Sequence, residues 1–226
     1  MRLLLGPAAL LAAMIWGSVG WGLLSYWVLK GDPWHRLVLA SHAGRLLGRE
    51  AAVVLIGDSI MESVGSPCST FANLAVSGAR ARDVPAELVA EVARLKPAVI
   101  LIMLGINDLR RGDGPVETAQ SVAALARRFQ TAVSGARVVV LAPLPLTQNS
   151  NAEAADNAAV RKTAAILHVE LSNDKILVTD FSALFGKGEL APELTEDGLH
   201  LNAVGIYRFT AIVEAAAVAA GAKGCR

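Results

Sequence analysis

The chain is poor in cysteine and in charge, and each shortage excludes something. Two cysteines among 226 residues, Cys68 and Cys225, are too few for a disulfide scaffold. Charged residues make up 18%, below the ~25% usual for a soluble domain, which excludes a chain kept disordered by its own polarity. Neither sign dominates: 21 basic side chains face 20 acidic ones, so no global field favours nucleic acid. The sequence has no G-x-G-x-x-G and no G-x-x-x-x-G-K-[ST], which leaves nucleotide phosphate binding without support. It has no Cys/His cluster with zinc spacing, no internal repeat and no collagen-like period among its 20 glycines.

What the chain has in excess is apolar side chains, 54% of the total, and one segment concentrates them. Leu3 to Leu29 carries no charge. Ala8 to Leu29, about 22 residues, would reach roughly 33 Å as a helix, enough to cross a hydrocarbon core of ~30 Å. Trp21, Tyr26 and Trp27 fall where an aromatic belt lies, and Lys30 ends the run. A cleaved signal peptide would have an apolar core of ~7–15 residues and a small-residue cleavage site, and this run is longer with no such site standing out. Residues 1–30 are therefore expected to form an uncleaved N-terminal membrane anchor. Residues 31–50 read as a linker or juxtamembrane helix, with Leu37, Val38, Leu46 and Leu47 on a helical pattern. Residues 51–226 read as one near-neutral domain.

That domain alternates strand and helix signals. Ala52–Ile56, Phe71–Val76, Val99–Leu104, Arg137–Leu141 and Lys175–Thr179 are short apolar runs without polar alternation, as parallel strands buried on both faces require. Helical periodicity falls between them: Val84, Leu88, Val92 and Leu95; Val122, Leu125, Phe129 and Val133; then Ala152–Val169 and Ala203–Ala220, the last with Asn202 as N-cap. The order predicts an α/β fold with a five-stranded parallel sheet covered on both faces. Ligands of such sheets bind outside the carboxyl ends of the strands, so the chemistry should follow each strand.

Polar residues stand at those places. Gly57-Asp58-Ser59 follows the first strand, where Ser59 is either an exposed nucleophile at a helix N-terminus or an ordinary helix cap. Asn73-Leu74-Ala75-Val76-Ser77-Gly78 follows the second; Gly78 would let a backbone N–H approach a ligand, or merely serve a turn. Gly105-Ile106-Asn107-Asp108 follows the third, and the Asn107 amide can donate to an oxyanion or cap a turn. A late loop holds Asp197 three residues before His200, an acid able to orient a base. The other histidines are worse placed. His35 and His42 lie near the anchor, and His168 belongs to a helical pattern at the far end from the strand C-termini.

Gly57-Asp58-Ser59, Asn73 to Gly78, Gly105-x-Asn107-Asp108 and Asp197-x-x-His200, in this order, resemble the GDSL/SGNH hydrolase family, over roughly Val53 to Val213. The lysophospholipase-like esterase branch looks nearest. The resemblance implies a flavodoxin-like three-layer sandwich, with Ser59 as nucleophile, His200 as general base and Asp197 as its orienter. It implies an oxyanion hole from the Ser59 N–H, the Gly78 N–H and the Asn107 side chain. Ile60 stands where the family usually has leucine, and Leu201 where it often has proline; neither change removes a catalytic group.

On that resemblance the domain would be a serine esterase acting on a lipid or an acylated carbohydrate through an acyl-enzyme. No metal or organic cofactor is expected. The expected partners are a small ester and, through the N-terminal helix, the membrane; nucleic acid is not. An O-acyltransferase using the same triad, or a non-catalytic anchored binding module, are the alternatives. Pro143-Leu144-Pro145-Leu146-Thr147, uncharged and just past the fourth strand, is expected to line the site.

Sidedness rests on weak signals of opposite sign. Lys30, Arg36, Arg45 and Arg49 after the span outnumber Arg2 before it, which favours a cytoplasmic domain. Cys68 and Cys225 are expected at one end of the sheet, where a disulfide would need an oxidising compartment. Anchored relatives in the resembled family point the same way, so an extracytoplasmic domain is the expectation.

Overall fold

A computed structural model describes residues 51–65, 70–147, 156–179 and 188–224. The expected anchor, the linker, Cys68 and Cys225 lie outside the described residues. Among the described residues no helix is long and apolar enough to cross a membrane.

Five short strands form one parallel sheet: β1 (Val53–Gly57), β2 (Phe71–Asn73), β3 (Val99–Met103), β4 (Arg137–Leu141) and β5 (Leu177–Thr179), in the order β2-β1-β3-β4-β5. The helices between them are α1 (Ser59–Glu62), α2 (Ala86–Leu95), α3 (Ile106–Arg110), α4 (Pro115–Ala132) and α5 (Asn157–Glu170), and α6 (Ala203–Ala219) follows β5. Two strands are shorter than their apolar runs. β2 stops at Asn73, although the Leu74 and Val76 amides still donate to Leu55 and Gly57 carbonyls of β1. β5 begins at Leu177 because Leu171 to Lys175 form turns. α5 starts at Asn157, capped by Asp156.

The strands are apolar on both faces because both faces are covered. On one side Val54, Ile56, Ile100, Ile102 and Val140 pack with Leu88 and Val92 of α2 and Val122 and Phe129 of α4. On the other, Val53, Leu55, Leu101, Met103 and Leu141 pack with Ile60 and Met61 of α1 and Phe209 and Val213 of α6. Each fully buried side chain of this size is worth ~1.5–3 kcal/mol, so the sheet makes a stiff frame for the loops at its edges. The chain leaves β1 for β2 on one side and continues from there to β3 on the other. This makes the carboxyl ends of β1 and β3 the switch point, where such folds open a crevice.

Candidate active site

Ser59 is the first residue of α1, directly beyond β1. Asp58 caps the helix: its Oδ1 accepts the Ile60 N–H at 3.0 Å, which turns the chain sharply enough to present Ser59 at the sheet edge. Asn73 closes the other end of this short helix, its Nδ2 donating to the carbonyls of Met61, Glu62 and Val64. The Glu62 carboxylate accepts the Ser77 N–H at 3.0 Å. Asn73 and Ser77 thus fasten the stretch after β2 to the C-terminal end of α1.

Across the crevice, His200 Nε2 lies 3.1 Å from Ser59 Oγ, and His200 Nδ1 lies 2.7 Å from Asp197 Oδ2. A carboxylate can only accept, so Nδ1 carries the ring proton and Nε2 is left to accept from the Ser59 hydroxyl. Asp197 Oδ1 also accepts the backbone N–H groups of Leu199 and His200. Partial burial pushes the Asp197 carboxyl up, but the His200 ring and these two amides outweigh it and hold the group down at about 2. Asp197 is therefore ionised at any ordinary pH.

The loop that carries His200 is built to hold still. Thr195 Oγ1 donates to the His200 carbonyl at 2.7 Å and accepts the Gly198 N–H, and the Glu196 N–H donates to the same carbonyl. Asn202 caps α6 through Val204 and Gly205 and donates back to the Glu193 and Thr195 carbonyls. Pro143 to Leu146, expected to line the site, are buried, with Leu144 and Leu146 packed in the core and Pro143 against Gly105. Apolar side chains between two packed layers go inward, and this stretch acts as a brace. The Thr147 N–H donates to the Gly198 carbonyl and the Thr147 hydroxyl to the Leu190 carbonyl.

The other candidates meet at the same edge. Gly78 sits after β2 at φ 76°, a left-handed conformation that favours glycine. Asn107, in the first turn of α3, is buried and donates from Nδ2 to the Ala79 carbonyl at 3.2 Å, with a second amide hydrogen to spare. The N–H groups of Ser59 and Gly78 make no hydrogen bond among the described residues. His168 is exposed near the far end of α5, away from this edge. Among the described residues no group of His, Cys, Asp and Glu could hold a metal ion.

Two carboxyls behind the site had no role in the sequence pattern. Asp58 is 1% exposed and Asp108 fully buried. Burial pushes Asp58 up to about 7, with Asp108 adding to the effect and the Ile60 and Met61 amides and His200 opposing it. Burial likewise pushes Asp108 to about 6. The Ala81 amide approaches Asp108 without closing a well-formed hydrogen bond, so neither carboxyl oxygen is satisfied. The sequence shows an acid directly before the nucleophile candidate and another directly after the amide candidate, with nothing there to mark them as buried. Thr195 was also missed, and its Thr-x-x-Gly spacing is the turn pattern that could have found it.

The fold is widely shared. A protein from Streptococcus pneumonia, provisionally described as a platelet activating factor, superposes with a TM-score of 0.71 at 17% identity, covering 88% of this chain and 99% of its own. A GDSL-like lipase from Bacteroides thetaiotaomicron does so at 0.65 with 18% identity, over 80% and 99%. A carbohydrate esterase family 3 enzyme from Talaromyces cellulolyticus does so at 0.55 with 18% identity, over 75% and 99%. No curated protein matches the chain. The family model of the GDSL-like lipases and acylhydrolases matches residues 65–206, a stretch that includes Gly78, Asn107, Asp197 and His200 and starts just beyond Ser59. With most of the chain matched and the same sheet beneath it, this protein belongs to the GDSL-like lipase/acylhydrolase family of enzymes.

Proposed function

We propose that the protein is a serine esterase that hydrolyses carboxylic esters through an acyl-enzyme. One observation carries this reading: the unbroken hydrogen-bonded line from Ser59 Oγ to His200 Nε2 at 3.1 Å and from His200 Nδ1 to Asp197 Oδ2 at 2.7 Å. His200 takes the Ser59 proton as Oγ attacks the ester carbonyl. Negative charge moves to the carbonyl oxygen, which meets the N–H groups of Ser59 and Gly78 and the spare Asn107 amide hydrogen. The imidazolium, steadied by ionised Asp197, returns the proton to the leaving alcohol. Water, deprotonated by His200, then attacks the acyl-Ser59 ester, and His200 returns that proton to Ser59 Oγ as the acid leaves.

The His200 and Asp197 side chains are 43% and 53% exposed, so the site is open. An open site holds a small acyl group, such as acetyl, better than a long chain that needs walls to bury it. The N-terminal run of residues 3–29 supports a membrane-held enzyme, and we place its domain outside the cytoplasm.

The test is a screen of p-nitrophenyl esters from acetyl to long acyl, joined to fluorophosphonate labelling. The reading expects turnover that falls with acyl length, and label on Ser59. An unlabelled Ser59 with no turnover on any ester would overturn it.

A further inference from the structure

The two edges of the sheet differ in charge. Lys96, Arg137, Lys175 and Lys223 are all exposed at the N-terminal edge of the sheet. None of the four makes an ion pair among the described residues. Three acids near this edge are already committed: Glu170 and Asp174 to Arg127, and Glu91 to Arg94. The cations line a row of depressions along the edge. Lys96 and Lys223 flank a cleft of about 620 Å³ beside β1, and Arg137 and Lys175 border another beside β4 and β5. The opposite edge, where Ser59 lies, is acidic on balance: it exposes Glu62, Asp156, Glu193, Glu196 and Asp197 beside Arg111, with Arg82 tied to Asp113 and Glu117.

Helix C-termini attract cations, which accounts for Arg94 in the last turn of α2 and for Lys96 at its C-cap. It does not account for Arg137, which opens β4, or for Lys175, which lies in a turn before β5. Lys96 occupies a left-handed cap at φ 49°, where glycine is the unstrained choice.

The position of the chain's entry identifies the occupant. Ala51, the first residue of the domain, lines the same cleft as Lys96 and Lys223. Residues 1–50 therefore join the domain at its basic edge, and they bring with them the uncharged run of residues 3–29. A bilayer holding that run would lie within the reach of residues 31–50 from this row of cations. Where a leaflet carries anionic headgroups, each cation brought near them strengthens binding by about fivefold.

We propose that the N-terminal edge of the sheet rests on the anionic headgroups of the bilayer that holds residues 1–30, so that the Ser59 site opens away from that membrane. The proposal rests on the reading of an anchored esterase, and it deepens that reading by naming the substrate class. β1 spans about 16 Å at ~3.3 Å per residue, and Ser59 lies beyond its far end. An ester bond in the surrounding lipid is out of reach, so the substrates are water-soluble or polymer-borne esters.

The experiment uses the full chain reconstituted in vesicles of phosphatidylcholine, with and without phosphatidylglycerol. A membrane-impermeant amine reagent is applied and each lysine is quantified by mass spectrometry. Lys96, Lys175 and Lys223 are expected to label several-fold less in the phosphatidylglycerol vesicles and to recover in high salt, while Lys162, exposed on α5, stays constant. Equal labelling in both vesicles overturns the footprint. A second arm compares a soluble acetyl ester with an ester phospholipid in the same bilayer. Turnover of the first alone is expected, and the Lys96→Glu, Lys175→Glu, Lys223→Glu variant should begin to cleave the second while keeping its rate on the first. Equal cleavage of both by the unaltered protein overturns the orientation. If no ester is cleaved the esterase reading fails, and the labelling still decides the footprint by itself.

Discussion

His200 Nε2 and Ser59 Oγ meet at 3.1 Å although 141 residues separate them in the chain. Each is held by its own frame. Ser59 is fixed by β1, the Asp58 cap and the Asn73 clamp on α1. His200 is fixed by Thr195, by the Thr147 brace and by the start of α6. The distance between them therefore reports on the packing of both frames against the sheet.

Ser59→Ala and His200→Ala are each expected to lower ester turnover by at least about 10³-fold, with the thermal midpoint nearly unchanged, since neither side chain is core. Asp197→Asn should cost less than Ser59→Ala, because the amide oxygen can still accept the Leu199 and His200 N–H groups. His168→Ala serves as the control. An inactive His168→Ala beside an active His200→Ala would mean that the base has been misassigned.

Asn107→Ala removes one donor to the developing oxyanion and should cost ~10²–10³ in kcat with little change in KM. It also removes the bond to the Ala79 carbonyl, so the loop next to Gly78 loosens. A melting curve separates the two effects. A large fall in kcat with less than about 1 kcal/mol of lost stability marks loss of the donor, whereas a rise in KM with kcat preserved would deny Asn107 that role.

The five strands were legible because parallel strands buried on both faces leave continuous apolar runs, and Val99–Met103 is the clearest. Their ends were less so. β2 ends at Asn73, whose side chain clamps α1, although Leu74 and Val76 still donate to β1, and no periodicity announces that. Ser59, Gly78 and Asn107 were legible because each follows an apolar run, where the fold exposes polar groups, and Asp197 and His200 because an acid stands three residues before a histidine. The function of Pro143–Thr147 was not. An apolar loop reads the same whether it lines a pocket or packs beneath one, and only the Thr147 bonds to Leu190 and Gly198 decide for the brace. Asp58 and Asp108 escaped because burial of a carboxyl depends on the layers packed over it.

The Asp58 carboxyl gives the fold a pH dependence of known sign. Unfolded, it releases its proton near its ordinary value of 3.8; folded, burial delays release to about 7. Between these values the folded state holds the extra proton, so this group's contribution falls as pH rises through the window and is level above it. Asp58→Asn cannot ionise and can still accept the Ile60 N–H. It should match the unaltered protein near pH 4 and exceed it at pH 8 by about 1–3 kcal/mol. Urea unfolding at several pH values measures this. A variant less stable than the parent at pH 8 would mean that the buried group is held as a carboxylate.

Deleting residues 1–30 removes no group assigned to the chemistry, and the basic edge stays intact. The truncated chain is expected to be released from membranes and to turn over soluble esters at the full-length rate. The full chain should stay with membranes through a carbonate wash. Its release by carbonate would indicate peripheral attachment or a cleaved leader.

Gly205 tests how far the His200 frame governs the chemistry. It is the third residue of α6, and helix propensity alone would make Gly205→Ala stabilising by ~0.5–1 kcal/mol. Packing argues the reverse. An added Cβ would lie 2.2 Å from the Leu194 carbonyl oxygen and 3.1 Å from Leu201 Cβ. That carbonyl already accepts the Asn202 N–H, so it cannot retreat without opening the cap of α6. Overpacking of this kind costs about 1–3 kcal/mol, enough to reverse the propensity gain. α6 must then shift away from Pro192–Leu194 and carry the Asp197–His200 loop with it. The expected result is a lowered thermal midpoint together with a fall in kcat, because Nε2 moves off Ser59 Oγ. Gly135→Ala, where an added Cβ meets nothing within 4 Å, is the paired control and should leave both unchanged. A Gly205→Ala protein that melts at or above the parent's midpoint with full activity would show that α6 does not set the position of His200.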